Sequence, residues 1–296
     1  MTTTNTDIAP TAKTETDTTP TTQDLDVLVL GATGKTGRRV TRRLRDAGVR
    51  VRAASRSGEV TFDWTVPATW EPALTGASAV YLVPPDDPSP VRQFVADAVA
   101  AGVRRFVVLS GRGIEQVANG FGQGMAVAEA AVRESGAEWT ILRPNNFFQN
   151  FDEYLWLAPL RAGRLALPIG VVPEPFIDAE DVAEAAVAAL THDGHTGRVH
   201  ELSGPQGLTF AEAVATIARA SGRTIHYEEL TSADYRAELL AEGLPEAVAD
   251  ALGAQFAMHR AGHTADPGDG VRHLLGRAPA AFGPWAERIA AQGTWS

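Results

Sequence analysis

The stretch that most constrains this chain is residues 25–43, which read LDVLVLGATGKTGRRVTRR. It begins with a short apolar run rich in β-branched residues, continues through three glycines and ends with apolar residues on one helical face. This order predicts a strand, a glycine-rich turn and a helix, the arrangement of a dinucleotide-binding unit. The alternative is an ordinary strand–turn–helix connection that binds no ligand.

Each glycine in this turn has its own predicted role. Gly31 suits a turn conformation that is closed to other residues, and Gly34 lets the backbone approach a diphosphate. Gly37 lets the helix pack against the strand, while free N–H groups at the helix N-terminus face the phosphates. The predicted cofactor contacts of this turn are Gly31, Thr33, Gly34, Lys35, Thr36 and Gly37.

The end of the second predicted strand, residues 49–55, indicates which dinucleotide is bound. Units that prefer NAD carry an Asp or Glu there, whereas this chain has Ser55, Arg56 and Ser57. An arginine and hydroxyl groups suit a 2′-phosphate, so NADP(H) is favoured over NAD(H). The alternative is that Arg56 is a solvated loop charge. Asp63, after a short third strand, either accepts from the adenine amino group or caps the next turn.

Strands and helices alternate through residues 24–150 at the spacing of a doubly wound parallel sheet. Ligands of such sheets bind outside the carboxyl ends of the strands. Further cofactor contacts are therefore expected at Val83, Pro84, Ser110, Pro144 and Asn145. The predicted fold is α/β, a Rossmann-type sheet in residues 24–150. A smaller, mostly helical substrate-capping region follows in residues 151–296 and adds strands to the sheet.

A strongly aromatic segment follows the sixth predicted strand, and Phe147, Phe151 and Tyr154 belong to it. These side chains form either a pocket wall over the nicotinamide or the inner face of a core helix. The candidates for catalytic contact with a substrate are Ser110, Asn150 and Tyr154. Alternatively, Ser110 only satisfies a strand end and Asn150 only caps a helix.

Helix signals are clear in the C-terminal half. Asp178 is expected to cap a long alanine-rich helix, and Thr209 with Glu212 has the spacing of a capping box. We also expect a strand at residues 224–227. A row of four apolar residues at four-residue spacing, residues 244–256, predicts core or a dimer face.

Composition excludes several classes of function. The net charge of −10 argues against a nucleic-acid-binding protein, and the absence of cysteine excludes thiolate catalysis and disulfides. No run is apolar enough to span a membrane, and no secretory signal is recognisable, so a cytoplasmic protein is expected. The pairs His192/His195 and His259/His263 lack glutamate or thiolate partners, and no metal is predicted. Residues 1–23 are threonine-rich, and we expect this tail to be disordered.

Four motifs together resemble the atypical, NmrA-like branch of the short-chain dehydrogenase/reductase superfamily. They are GATGKTG at 31–37, YLVPP at 81–85, WTILRP at 139–144 and FIDAEDVA at 176–183. Within that branch they are most similar to the ergot-alkaloid festuclavine and agroclavine dehydrogenases and their bacterial relatives. The resemblance covers residues 25 to 290 and implies a Rossmann fold that binds NAD(P).

Ordinary members of that superfamily use a Tyr-x-x-x-Lys pair, in which the tyrosine donates a proton. This chain has lysine only at positions 13 and 35, so it contains no such pair. An iminium accepts hydride without a proton, and a quinone-like acceptor can take its proton from solvent. The sequence therefore predicts an NADPH-dependent oxidoreductase, monomeric or homodimeric, that reduces a small imine, iminium or quinone-like molecule. The alternative is a non-catalytic NADP(H)-binding redox sensor that acts through a protein partner.

Overall fold

The computed structural model describes residues 25–116 and 122–296. The threonine-rich segment at residues 1–23 lies outside these ranges. Within them, no helix combines the length and the apolar character that crossing a membrane requires.

The strands of the described residues form one large sheet and one small one. Their bounds are β1 Asp26–Leu30, β2 Arg50–Ser55, β3 Val60–Thr61, β4 Ala79–Leu82, β5 Arg105–Leu109, β6 Glu138–Pro144, β7 Arg164–Leu167, β8 Arg198–Leu202 and β9 His226–Glu229. The large sheet is parallel, with the order β3-β2-β1-β4-β5-β6-β8. This is the doubly wound α/β fold that the sequence predicts. The strand order reverses between β1 and β4, which makes their carboxyl ends the ligand-binding crevice of such a fold.

Helices cover both faces of the large sheet. Their bounds are α1 Gly37–Asp46, α2 Trp70–Leu74, α3 Val91–Ala100, α4 Gln123–Glu134, α5 Leu157–Ala162, α6 Ala179–Thr191, α7 Phe210–Ser221, α8 Ser232–Ala241, α9 Glu246–Arg260, α10 Gly270–Leu275 and α11 Phe282–Ala291. Apolar residues of α1, α6 and α10 form the core on one face, and those of α2, α3 and α4 form the core on the other. Successive residues of β1 alternate between the two cores, as buried parallel strands do.

The C-terminal half adds a strand to the large sheet and also forms a separate third core. Strand β8 extends the large sheet, and α6 and α10 pack on it. A third core, built largely from aromatic residues, lies among α5, α7, α8, α9 and α11 and beneath the parallel pair β7–β9. Strand β7 was not predicted, and β9 overlaps the predicted strand at 224–227 but begins and ends two residues later.

The predicted helix caps are confirmed. The Asp178 side chain accepts a hydrogen bond from the backbone N–H of Glu180 at the start of α6. Thr209 and Glu212 form the reciprocal hydrogen bonds of a capping box at the start of α7. These local signals therefore fix where both helices begin.

Candidate functional site

The crevice is bounded by the glycine-rich turn between β1 and α1. Gly31 has a φ of +62°, which other residues rarely adopt. A Cβ on Gly37 would clash with the carbonyl oxygen of Gly31, so only glycine lets α1 begin this close to the turn. A Cβ on the exposed Gly34 would lie 3.1 Å from that same oxygen. Val83, directly after β4, packs beside Gly31 and is followed by the half-buried Pro84.

This turn presents unused backbone donors. The N–H of Gly34 donates to the Gly31 carbonyl at 2.8 Å, and the N–H of Arg38 donates to Gly34 at 3.1 Å. Between them, the N–H groups of Lys35, Thr36 and Gly37 donate to none of the residues in 25–116 and 122–296. Three such donors at a helix N-terminus suit an anionic group, so the turn fits a dinucleotide diphosphate.

The end of β2 also fits the sequence expectation. Ser55 is buried there, and its hydroxyl oxygen accepts a hydrogen bond from the Ser57 N–H at 3.3 Å. Arg56 is exposed and makes no hydrogen bond or ion pair with any described residue. Asp63 accepts hydrogen bonds of 2.8 Å from the backbone and hydroxyl of Thr65, which lower its pKa. Asp63 therefore caps its turn, which is one of its two expected roles, and the charge of Arg56 also lowers its pKa.

Lys35 connects the glycine-rich turn to the segment after β6. Its ammonium donates a hydrogen bond to the side-chain oxygen of Asn150. The same nitrogen lies 5.6 Å from the centre of the Phe147 ring. Burial lowers the pKa of Lys35 to about 8. The structure thus brings together Lys35, Phe147 and Asn150, three residues that the sequence proposed separately.

Two carboxylates follow Asn150. Glu153 is bound by Arg38 and Arg39, each with a closest contact of 2.5 Å. Asp152 forms no ion pair with a described residue, and burial, reinforced by the charge of Glu153, raises its pKa to about 6 against the opposing charges of Arg39 and Lys35. No sequence motif pointed to Asp152, because the burial that shifts its pKa comes from the fold, and Arg39 and Lys35 lie more than 100 positions away in the chain.

Ser110, at the end of β5, is held by a buried carboxylate. Its hydroxyl donates a hydrogen bond of 2.6 Å to Glu129 of α4. Glu129 also receives two hydrogen bonds of 2.8 Å from Arg143 of β6. Burial would raise the pKa of Glu129, but the hydrogen bonds from Arg143 and Ser110 outweigh it and hold that pKa low. Ser110 is therefore part of a scaffold network, in line with the structural alternative.

Asn145, which follows Pro144, belongs to a second buried network. Its amide nitrogen donates to Glu174 at 2.8 Å, and its side-chain oxygen accepts from Arg112 at 2.8 Å. The other oxygen of Glu174 lies 2.9 Å from Nδ1 of His259, whose Nε2 is 3.2 Å from the Val172 carbonyl oxygen. The network ties α9 to the carboxyl edge of the sheet. In the sequence, His259 is distinguished only by its spacing to His263, and no motif points to Glu174.

The three aromatic residues predicted as a pocket wall separate in the structure. Phe147 stands beside Lys35, as described above. Phe151 is fully buried in the third core, with ring centres of Trp156 and Phe176 at 4.7 Å and 5.2 Å. Tyr154 is 74% exposed and has no hydrogen-bond partner among the described residues. The core alternative thus describes Phe151, because its ring also packs against Phe210 of α7 and Phe282 of α11.

The chain is similar to one family of known proteins and to several individual reductases and dehydrogenases. Residues 31–193 match a family described as NAD(P)H-binding. A (4-alkanoyl-5-oxo-2,5-dihydrofuran-3-yl)methyl phosphate reductase of Streptomyces griseus is 37% identical, over 88% of this chain and 96% of the relative. An NAD(P)H azoreductase of Xenophilus azovorans is 32% identical over 90% of this chain and 98% of its own. The agroclavine dehydrogenase of Claviceps fusiformis is 29% identical over 87% and 95%, which confirms the expected resemblance.

Solved structures share the fold. An NADPH-dependent quinone oxidoreductase of Escherichia coli in complex with NADPH superposes with a TM-score of 0.74 at 22% identity, covering 89% of this chain and 99% of its own. The negative transcriptional regulator NmrA in complex with NAD gives a TM-score of 0.71 at 16% identity, covering 92% and 97%. The same architecture therefore occurs in a reductase and in a regulator.

Proposed function

The chain belongs to the family of NAD(P)H-binding proteins, and from this premise we propose that it is an NADPH-dependent reductase of small, electron-poor organic molecules. The acceptors that we propose are imines, iminium ions and quinone-like rings. The observation that carries the proposal is the set of unused N–H donors on Lys35, Thr36 and Gly37 at the point where the strand order reverses.

The preference for NADPH rests on the end of β2. Ser55 stands where an NAD-preferring unit would have a carboxylate, and Arg56 forms no hydrogen bond or ion pair with a described residue. A free guanidinium can bind a 2′-phosphate with charge-assisted hydrogen bonds, whereas a carboxylate would repel it. The arrangement therefore supports NADPH over NADH.

The side chains near the crevice support an acceptor that needs no hydroxyl acid from the protein. The Ser110 hydroxyl already donates to Glu129. Tyr81 is enclosed in the core, where burial raises its pKa, and Tyr154 points into solvent. When bound, NADPH supplies the hydride. The described residues would then hold the cofactor and exclude water, while an imine carbon or a quinone ring accepts the hydride.

The names of the relatives support reduction without fixing a substrate. One is named for a furanone phosphate, one for azo compounds and one for agroclavine. A fold shared by such different activities indicates that the site, and not the fold, selects the acceptor. The acceptor class is therefore best tested directly.

The test is a panel of acceptors with the full chain. Binding of NADPH and NADP⁺ is measured by fluorescence titration, and turnover by loss of NADPH absorbance with a naphthoquinone, an azo dye, a cyclic imine and a cyclic iminium. We expect oxidation of NADPH by at least one class. A Gly34→Glu variant, which places a carboxylate in the diphosphate cradle, should lose binding and turnover together. Tight binding of both cofactor forms without oxidation by any acceptor would contradict the proposal and favour the redox sensor.

A further inference from the structure

The Lys35 ammonium lies at the edge of the crevice, beside Asn150 and Phe147. Its ammonium has three N–H donors, and Asn150 is the only acceptor for them in the described part of the chain. Asn150 is itself held in place, because its backbone N–H donates to the Phe147 carbonyl at 3.0 Å. Two donors of a positioned ammonium therefore remain available at the carboxyl edge of the sheet.

The charges of the groups around Lys35 have opposing effects on its pKa. Glu153 and Asp152 favour its protonated form, and Arg39 and Arg38 oppose it. Glu153, however, is bound by Arg38 and Arg39 and does not form an ion pair with Lys35. The ammonium is thus partly desolvated and has no carboxylate within ion-pair distance among residues 25–116 and 122–296, a state that favours an anion as its next neighbour.

We propose that the Lys35 ammonium stabilises the negative charge that forms on the acceptor during reduction, and that it thereby selects neutral acceptors, quinones and conjugated carbonyl compounds, over cationic iminium ions. This inference rests on the proposed reductase function. A neutral quinone that gains a hydride becomes a hydroquinone monoanion, and the bound NADPH that gives up the hydride becomes NADP⁺. The monoanion then takes a proton from the Lys35 ammonium, and solvent reprotonates the amine. A cationic iminium becomes a neutral amine when it gains a hydride, so it forms no anion for Lys35 to stabilise.

The competing role for Lys35 is to neutralise the cofactor diphosphate. The two roles differ in what a Lys35→Gln variant loses. If Lys35 serves the acceptor, the dissociation constant of NADPH changes by less than about threefold, while kcat with a naphthoquinone falls about 30-fold or more. Turnover of a cyclic iminium should then stay the same or rise. If Lys35 serves the diphosphate, affinity for NADPH falls, and both acceptors lose activity by the same factor, which would overturn the proposal.

The chain offers an unusually direct readout of Lys35, because its only other lysine is Lys13. In a Lys13→Arg background with ¹³C-labelled lysine, the Lys35 side chain gives the single lysine signal, and its titration can be followed by NMR. We expect a midpoint near 8, in accord with the lowered pKa. The quinone activity should fall along the same curve as the pH rises. This decrease should be absent in Lys35→Gln and moved to higher pH in Lys35→Arg, which keeps the charge.

Two results separate failure of this inference from failure of the proposed function. If the unmodified chain reduces quinones and Lys35→Gln reduces them equally well, the reductase function stands and the role of Lys35 is refuted. If the unmodified chain reduces no acceptor, the proposed function itself fails. A Lys13→Gln variant is the matched control for loss of a lysine, and its quinone activity and NADPH affinity should equal those of the unmodified chain.

Discussion

Arg143 and Glu129 form a buried, bidentate ion pair. Nε and Nη2 of the arginine each lie 2.8 Å from a different oxygen of the carboxylate. The side chains are only 15% and 7% exposed. Because Arg143 is on β6 and Glu129 is on α4, the pair fixes the helix against the sheet and at the same time orients Ser110 at the end of β5.

Because this pair is buried, removing one of its charges should lower the free energy of unfolding more than removing an exposed charge. Glu129→Gln removes the negative charge opposite the buried Arg143 guanidinium and leaves it only one acceptor oxygen at this position. We therefore expect a loss of about 3 kcal/mol in the free energy of unfolding. Glu115→Gln is the matched control, since Glu115 contacts the same arginine at 2.8 Å but is 50% exposed. That variant should lose about 0.5 kcal/mol. Denaturant titration measures both losses, and equal losses would contradict the role of burial.

Arg56 should discriminate between the two cofactors. Arg56→Ala is expected to weaken NADPH binding about 10- to 100-fold, the effect of losing one or two charge-assisted hydrogen bonds to a phosphate. Binding of NADH should change by less than about twofold, because NADH has no 2′-phosphate. Arg45→Ala is the control, since Arg45 is also exposed but already pairs with Glu59 at 2.6 Å. Equal weakening for both cofactors in fluorescence titrations would refute the 2′-phosphate role.

Gly34 should affect binding more than folding. The glycine is exposed, and a Cβ there would lie 3.1 Å from the Gly31 oxygen, a contact that a small shift relieves. Gly34→Ala should therefore change stability by about 1 kcal/mol or less, while NADPH affinity falls about tenfold, because the Cβ keeps the diphosphate from the backbone. Gly253 of α9 has nothing within 4 Å of such a Cβ. Gly253→Ala should stabilise the helix by about 1 kcal/mol and leave binding unchanged. A Gly34→Ala variant that binds NADPH normally would show that the cofactor does not approach this turn.

Local sequence signals predicted most of the fold. The glycine-rich turn, the capping residues Asp178 and Thr209 and the alternation of strands and helices all depend on near neighbours in the chain. The parallel pair β7–β9 was missed in part because its strands lie about 60 residues apart and are only four residues each. Their pairing is set by the third core and not by their own pattern.

The candidate site was predicted less completely, because several of its residues are far apart in the sequence. Its cofactor half is one continuous motif, whereas Lys35 and Asn150 meet across 115 residues of sequence. The sequence also cannot tell that Phe147 faces the turn while Phe151 enters the aromatic core four residues later. Which of two neighbouring aromatic residues faces a site is decided by packing, here by the contact of Phe151 with Phe176.

Asp152 should make stability depend on pH in an unusual direction. Burial, with the nearby Glu153 charge, raises the pKa of its carboxyl from 3.8 to about 6. Between these values the folded chain binds more protons than the unfolded chain, so this group lowers stability as the pH rises through the window. The full cost is present above about pH 6, and it disappears below about pH 4.

Replacing this carboxyl by an amide should remove that cost. Asp152→Asn is therefore expected to be more stable than the unmodified chain by about 1 kcal/mol near pH 8, a value reduced for the partial exposure of the group. The difference should vanish near pH 4, as thermal unfolding across the range would show. Asp86→Asn, at an exposed position, should leave the shape of the pH profile unchanged. Because the Asp152 charge also favours protonated Lys35, the pKa of Lys35 should fall below 8 in Asp152→Asn. A constant stability difference at all pH values would mean that Asp152 is fully solvated, and the Lys35 titration would then stay in place.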